Sequence, residues 1–73
     1  MNKKIEIRLF ATLREGRSRR SYIDAKNIRE ILDILNIKEE EIAMLLLNGR
    51  DATLDTQIND GDILSIFPPV GGG

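Results

Sequence analysis

Seventy-three residues, with 12 acidic and 11 basic side chains and a net charge of −1, make one domain without the basic excess that nucleic acid demands of a main partner. With no cysteine and no histidine, disulfides, thiolate metal sites, a cysteine nucleophile and an imidazole base are excluded, which leaves carboxyl groups, hydroxyls, lysines or the chain terminus for any chemistry. No apolar run approaches the ~20 residues of a membrane span and the N-terminus lacks a signal peptide's apolar region, so the expectation is a cytoplasmic protein with no membrane partner.

In chain order, Ile5, Ile7 and Leu9 alternate with Glu6, Arg8 and Phe10, the period of a half-buried strand. Ala11 to Gly16 is a short excursion closed by glycine, and Ser18 to Ile23 is read as a second, more polar strand that forms a hairpin with the first. Asn27 with Glu30 fits a capping box, Asn27 as N-cap and Glu30 reaching back to its amide. Ile28, Ile31, Leu32 and Leu35 then mark one face of an amphipathic helix that ends at Asn36. Lys38 to Glu41 is a polar connection.

Ile42 to Leu47 is a continuous apolar run, expected to be a strand buried on both faces, and it stops at Asn48-Gly49, a strong signal for a tight hairpin turn. Arg50 to Thr53 is a short return strand, Asp55 to Ile58 a turn of helix, and Asn59-Asp60-Gly61-Asp62 another turn. Ile63 to Phe67 is the last strand, apolar enough to lie between earlier ones. One helix and one mixed sheet of four to five strands make an α+β domain in which the helix covers one face of the sheet.

The chain closes on Phe67-Pro68-Pro69-Val70-Gly71-Gly72-Gly73. Two prolines remove two backbone donors, end the strand and favour an extended polyproline-like segment, while the glycines add no side chain to pack. At roughly 3.1 Å per residue the tail can reach about 19 Å. A stiff stalk carrying a carboxylate into a narrow slot is expected; a frayed terminus is the plain alternative.

This layout resembles the ubiquitin-like β-grasp fold, and the motifs are more specific than the layout. Leu9-Phe10-Ala11-Thr12-Leu13-Arg14-Glu15 resembles the "FAxLRE" segment of the small subunit of molybdopterin synthase, a ubiquitin-like sulfur carrier. Leu47-Asn48-Gly49 resembles that family's "VNG" turn, Asp60-Gly61-Asp62 its "DGDEV" segment, and residues 67–73 its "PPVxGG" ending. Gly71 stands where relatives often carry Ser or Thr.

The resemblance implies a β-grasp domain over 1–67 and an extended tail over 68–73. It implies no catalysis by the chain alone and no bound cofactor or metal. A ubiquitin-activating-type adenylating enzyme would use ATP to join AMP to the Gly73 carboxylate, and a sulfur donor protein would displace AMP to leave a thiocarboxylate. The synthase's large subunit would accept the tail and pass the sulfur to a pterin precursor of the molybdenum or tungsten cofactor. Two other roles remain open: a modifier conjugated to proteins through Gly73, and a sulfur carrier for thiamine or another product, whose tails usually lack the double proline.

Phe10 lies on the strand face opposite Ile5, Ile7 and Leu9, and Phe67 ends the last strand. If the first and last strands are neighbours, the two rings form an apolar patch beside the tail, suited to an interface; otherwise each caps the core. Arg14, Arg17, Arg19 and Arg20, like Glu39, Glu40 and Glu41, read as solvated charge runs, with Arg14 set apart by its place in the family-like segment as a contact for an acidic partner surface. Asp60 and Asp62 are ordinary turn composition with no catalytic role.

Overall fold

The computed structural model describes residues 2–69. The alternation at the N-terminus produces β1, Lys3–Leu9, with Ile5, Ile7 and Leu9 buried. A 3-10 turn at Ala11–Arg14 leads to β2, Arg20–Ala25, antiparallel to β1. This second strand starts and ends two residues later than the Ser18–Ile23 reading. Its inward-facing set therefore runs through Ala25, which is buried opposite Lys3 at the start of β1.

Helix α1, Ile28–Leu35, buries Ile28, Ile31 and Leu32. The Asn27 side chain accepts the Glu30 amide at 2.8 Å, as an N-cap should. The reciprocal half of the box is displaced: the Glu30 carboxylate accepts the Lys26 amide at 2.8 Å, one residue upstream of the expected donor. At the other end Asn36 adopts the left-handed conformation, φ 57° and ψ 44°. The Asn36 amide bonds to Asp33 O and the Ile37 amide to Leu32 O, a Schellman closure with Ile37 buried beneath it.

The carbonyls left over at this helix end are taken by a side chain from the first hairpin. Arg17 donates from Nε to Leu35 O at 3.1 Å and from its terminal nitrogens to Asn36 O at 3.0 Å and Leu13 O at 3.2 Å. The expectation that Arg17 belongs to a solvated charge run is therefore wrong. Its planar fork satisfies orphan acceptors and puts a positive charge at the negative end of the helix.

A 3-10 turn at Glu39–Glu41 precedes β3, Met44–Leu47, which turns through Asn48-Gly49 into β4, Arg50–Ala52. Both turn residues have positive φ, 54° and 82°, the type I′ geometry that matches strand twist. Strand β3 is shorter than the Ile42–Leu47 run and is not buried on both faces. Leu45 is buried, whereas Met44 on the opposite face is 42% exposed. The Ile42 amide closes the 3-10 turn onto Glu39 O, so the chain enters the sheet late. Among the described residues a single α-helix packs on the sheet, and it covers one face.

No helix forms at Asp55–Ile58. Thr53 and Thr56 close the segment instead: the Thr56 amide bonds to Thr53 O, and the Thr53 amide to the Thr56 hydroxyl at 2.8 Å. One helical turn has an unfavourable nucleus, and threonine hydroxyls offer the backbone a competing arrangement.

Strand β5, Ile63–Phe67, runs between β1 and β3, parallel to the first and antiparallel to the second. The sheet order is β2-β1-β5-β3-β4, which with one helix is the β-grasp arrangement. Leu64 and Ile66 join Ile5, Ile7, Leu9, Ala25, Leu45 and the helix face in one buried cluster that also holds Leu13, Ile37 and Ile58. No helix is long and apolar enough to cross a membrane, among the described residues.

Replacing Arg17 by Ala removes two hydrogen bonds to the helix end and one to Leu13 O in the preceding turn, so the expected loss of stability is about 1–3 kcal/mol. Arg17→Lys should restore little of it, because lysine's three donors radiate from a single nitrogen and do not match carbonyls spaced along the guanidinium fork. Denaturant midpoints of the two variants check this, and a wild-type midpoint for Arg17→Ala would remove the helix clamp from the account.

Candidate functional site

The turns at the start of β5 set where its far end emerges. The Asn48 side chain accepts the Ile63 amide at 2.9 Å and donates to Asp62 at 2.9 Å. Asp62 also accepts the Asn59 amide at 2.7 Å, and Asp60 accepts the Lys4 amide at 2.7 Å. Asp60 and Asp62 are thus occupied with holding β5 against β1 and the β3–β4 turn, which agrees with reading them as turn residues.

At the far end, the Phe67 carbonyl accepts the Ala43 amide at 2.8 Å. Pro68 and Pro69 follow, neither in a strand, and neither can donate to extend the ladder. They flank a shallow hollow of about 300 Å³ shared with Thr12, Leu13, Glu15, Arg17 and Glu41. Val70, Gly71, Gly72 and Gly73, the remainder of the expected tail, lie outside the described residues.

Parallel pairing of β1 with β5 aligns Leu9 with Ile66, so the next residue on each strand's course is an aromatic. The Phe10 and Phe67 rings stack with centroids 4.3 Å apart and planes 10° from parallel. Phe10 is not within β1; it caps the following 3-10 turn, and both rings are half-buried. Ala11 then takes φ 53°, a left-handed conformation costing a residue with a Cβ roughly 1–2 kcal/mol. The chain doubles back, and the Arg14 Nε donates to Leu9 O at 3.0 Å. Its guanidinium sits 5.7 Å from the Phe10 ring centre, within cation–π range.

The first and last strands are neighbours, so Phe10 and Phe67 form the joint patch that their positions in the sequence suggested, and Arg14 joins them in one stack beside Pro68. A fourth member was missed. Met44 pairs directly with Phe67 and adds an exposed thioether to the same open face. Its position follows only from β3–β5 register, which the apolar run Ile42–Leu47 conceals. Arg8, Arg19 and Arg20 line the hollow next to Phe10 and Arg14, so the apolar stack has a basic rim. Among the described residues no group of acidic side chains is placed to hold a metal ion.

Against known proteins, the ThiS family pattern matches residues 7–73. The chain belongs to the ThiS family. It is a small ubiquitin-like sulfur carrier or modifier, of a kind that is not itself catalytic. It is 30% identical to the Haloferax volcanii HVO 2177 protein, covering 99% of this chain and 88% of that one at a TM-score of 0.76. A chain from the complex of subunits 1 and 2 of the molybdopterin-converting factor of Helicobacter pylori is also 30% identical, covering 96% and 99% at a TM-score of 0.70. Small archaeal modifier protein 1 of H. volcanii is 28% identical, covering 93% and 99% at a TM-score of 0.75. Among curated proteins, none matches the chain.

A double-mutant cycle of Phe10→Leu and Phe67→Leu measures the stack. The expected coupling is about 0.5–1.5 kcal/mol in unfolding free energy, the range for aromatic pairs beyond their area. Additive single-mutant effects would mean that the rings pack independently.

Proposed function

We propose that this ThiS-family protein is the sulfur-carrying small subunit of a molybdopterin synthase, with a folded domain at 1–67 and a working tail at 68–73. The observation that carries the reading is the end of β5, where pairing stops at Phe67 and two prolines follow beside the Phe10–Arg14–Phe67 stack. The family match, residues 7–73, includes this strand end and Gly72-Gly73.

In this reading a ubiquitin-activating-type enzyme supplies ATP and binds the tail. A Gly73 carboxylate oxygen attacks the α-phosphorus, pyrophosphate leaves, and an acyl adenylate forms. Hydrosulfide released by a sulfur donor protein then attacks the acyl carbon, AMP leaves with the bonding pair, and loss of the S–H proton leaves a thiocarboxylate. Carboxylate is a poor electrophile, and adenylation splits one hard substitution into two easier ones. Glycine puts no Cβ beside the attacked carbon. The chain contains no thiol that could attack its own activated terminus.

The synthase role follows the H. pylori relative, whose structure is a complex of subunits 1 and 2 of the molybdopterin-converting factor. A corresponding large subunit would take the tail and supply the residues that bind a pterin precursor, while Phe10, Arg14 and Phe67 meet its surface. The 28% identity to small archaeal modifier protein 1 favours a second reading, conjugation through Gly73 to a lysine of another protein, which uses the same adenylate.

Incubation with the cognate adenylating enzyme, ATP and a sulfur source should raise the mass of the protein by the difference between sulfur and oxygen. Deleting Gly72 and Gly73 should abolish that change and leave the thermal transition nearly where it was, because a chain terminus without side chains adds little to a core whose last member, among the described residues, is Ile66. No mass change with an enzyme of demonstrated activity would contradict the carrier reading. A ladder of conjugates, with no affinity for a large subunit, would favour the modifier.

A further inference from the structure

The sheet has two edges. One, β4, is three residues long; the other, β2, is six residues long and, among the described residues, borders no further strand. A long, uncovered edge is a row of unpaired main-chain donors and acceptors, ready to pair with another strand.

Which groups point outward follows from the β1–β2 ladder. The Leu9 amide donates to Arg19 O at 3.0 Å, so Leu9 and Arg19 form a hydrogen-bonded pair. Antiparallel ladders alternate such pairs with non-bonded ones. In the observed register Ser21, Ile23 and Ala25 therefore turn their main-chain groups toward β1, and Arg20, Tyr22 and Asp24 turn theirs to the free edge. The same three residues project their side chains to the open face of the sheet, where Tyr22 is 60% exposed.

Their order is self-complementary. We propose that the β2 edge is a self-pairing surface through which two copies of this chain join, antiparallel about a two-fold axis at Tyr22. In that register Tyr22 faces Tyr22 of the second copy, Arg20 faces Asp24 of the second copy, and Asp24 faces its Arg20. All three pairs are of the hydrogen-bonded kind, giving about six main-chain hydrogen bonds across the axis. Moving the axis to Ile23 sets Arg20 opposite Lys26, and moving it to Ser21 leaves Asp24 opposite Ser18, so charge selects the axis at Tyr22.

The charges are available for this. Glu6 is committed to Arg8 at 2.6 Å, which leaves Arg20 as a second cation at 3.5 Å from the same carboxylate with its side chain 61% exposed. Asp24 has no ion pair among the described residues. Pairing through β2 uses neither β5 nor the Phe10–Phe67 stack, so it goes beyond the carrier reading and does not depend on it.

Sedimentation velocity over a concentration series at low salt tests the surface. The wild type should pass from monomer to dimer, and salt should shift the transition to higher concentration. Asp24→Arg and Arg20→Asp should each weaken the dimer by roughly tenfold or more, since each change acts at two symmetric pairs and turns attraction into repulsion. The double variant R20D/D24R should restore wild-type association. Hydrogen exchange on the wild type gives an independent reading: raising concentration should slow the Arg20, Tyr22 and Asp24 amides and leave Ser21 and Ile23 unchanged. A wild type that stays monomeric at millimolar concentration, a double variant no better than the singles, or concentration-dependent protection elsewhere than β2 would overturn the proposal.

Discussion

The fold depends on the placement of its last strand in the middle of its sheet. Strand β5 bonds to β1 on one side and β3 on the other, so within the sheet it bridges the β1–β2 and β3–β4 hairpins. Leu64 and Ile66 put its apolar side at the centre of the core. Its start is fastened by turn side chains rather than by packing: Asn48, Asp60 and Asp62 satisfy backbone donors of β5, β1 and the preceding turn. Each is a hydrogen bond of modest net value, and losing a partner costs more where the orphaned group is shielded from water.

That placement connects stability to function. A segment that must be seized by other proteins is best joined to the part of the domain that opens last. The stem leaves from such a strand, and the pairing that anchors it ends at Phe67, where proline supplies no donor to extend the ladder. Parallel alignment with β1 brings Phe10 onto Phe67 at the point of exit, with Arg14 held to Leu9 O beside them. An apolar stack with a basic rim therefore sits at the base of the segment that carries the reactive end in the proposed function.

Much of this was legible in the sequence, and the reasons for the misses are physical. Period-two alternation located β1, the Asn48-Gly49 dipeptide located the hairpin, and apolar residues stopped by prolines gave β5 with its observed bounds. Local chemistry also placed Asn27 and Asn36 at the two ends of the helix. Readings failed where a distant partner decides. Arg17 looks like one of several arginines until the helix end eighteen positions away presents its carbonyls. The apolar run at Ile42–Leu47 looks like a fully buried strand, but among the described residues nothing covers the second face, and its surplus hydrophobicity emerges at Met44 instead. The Asp55–Ile58 segment was decided by two threonine hydroxyls that bond locally.

The most direct measurement of the central claim is native-state hydrogen exchange, residue by residue. If β5 is the strand that holds both halves together, the amides of Leu64, Ser65 and Ile66 exchange only when the whole domain unfolds, while Arg50 to Ala52 on the β4 edge exchange through smaller openings. Exchange at β5 that is faster than in the β3–β4 hairpin would contradict the account, because the stem would then be anchored to one of the first parts of the molecule to open.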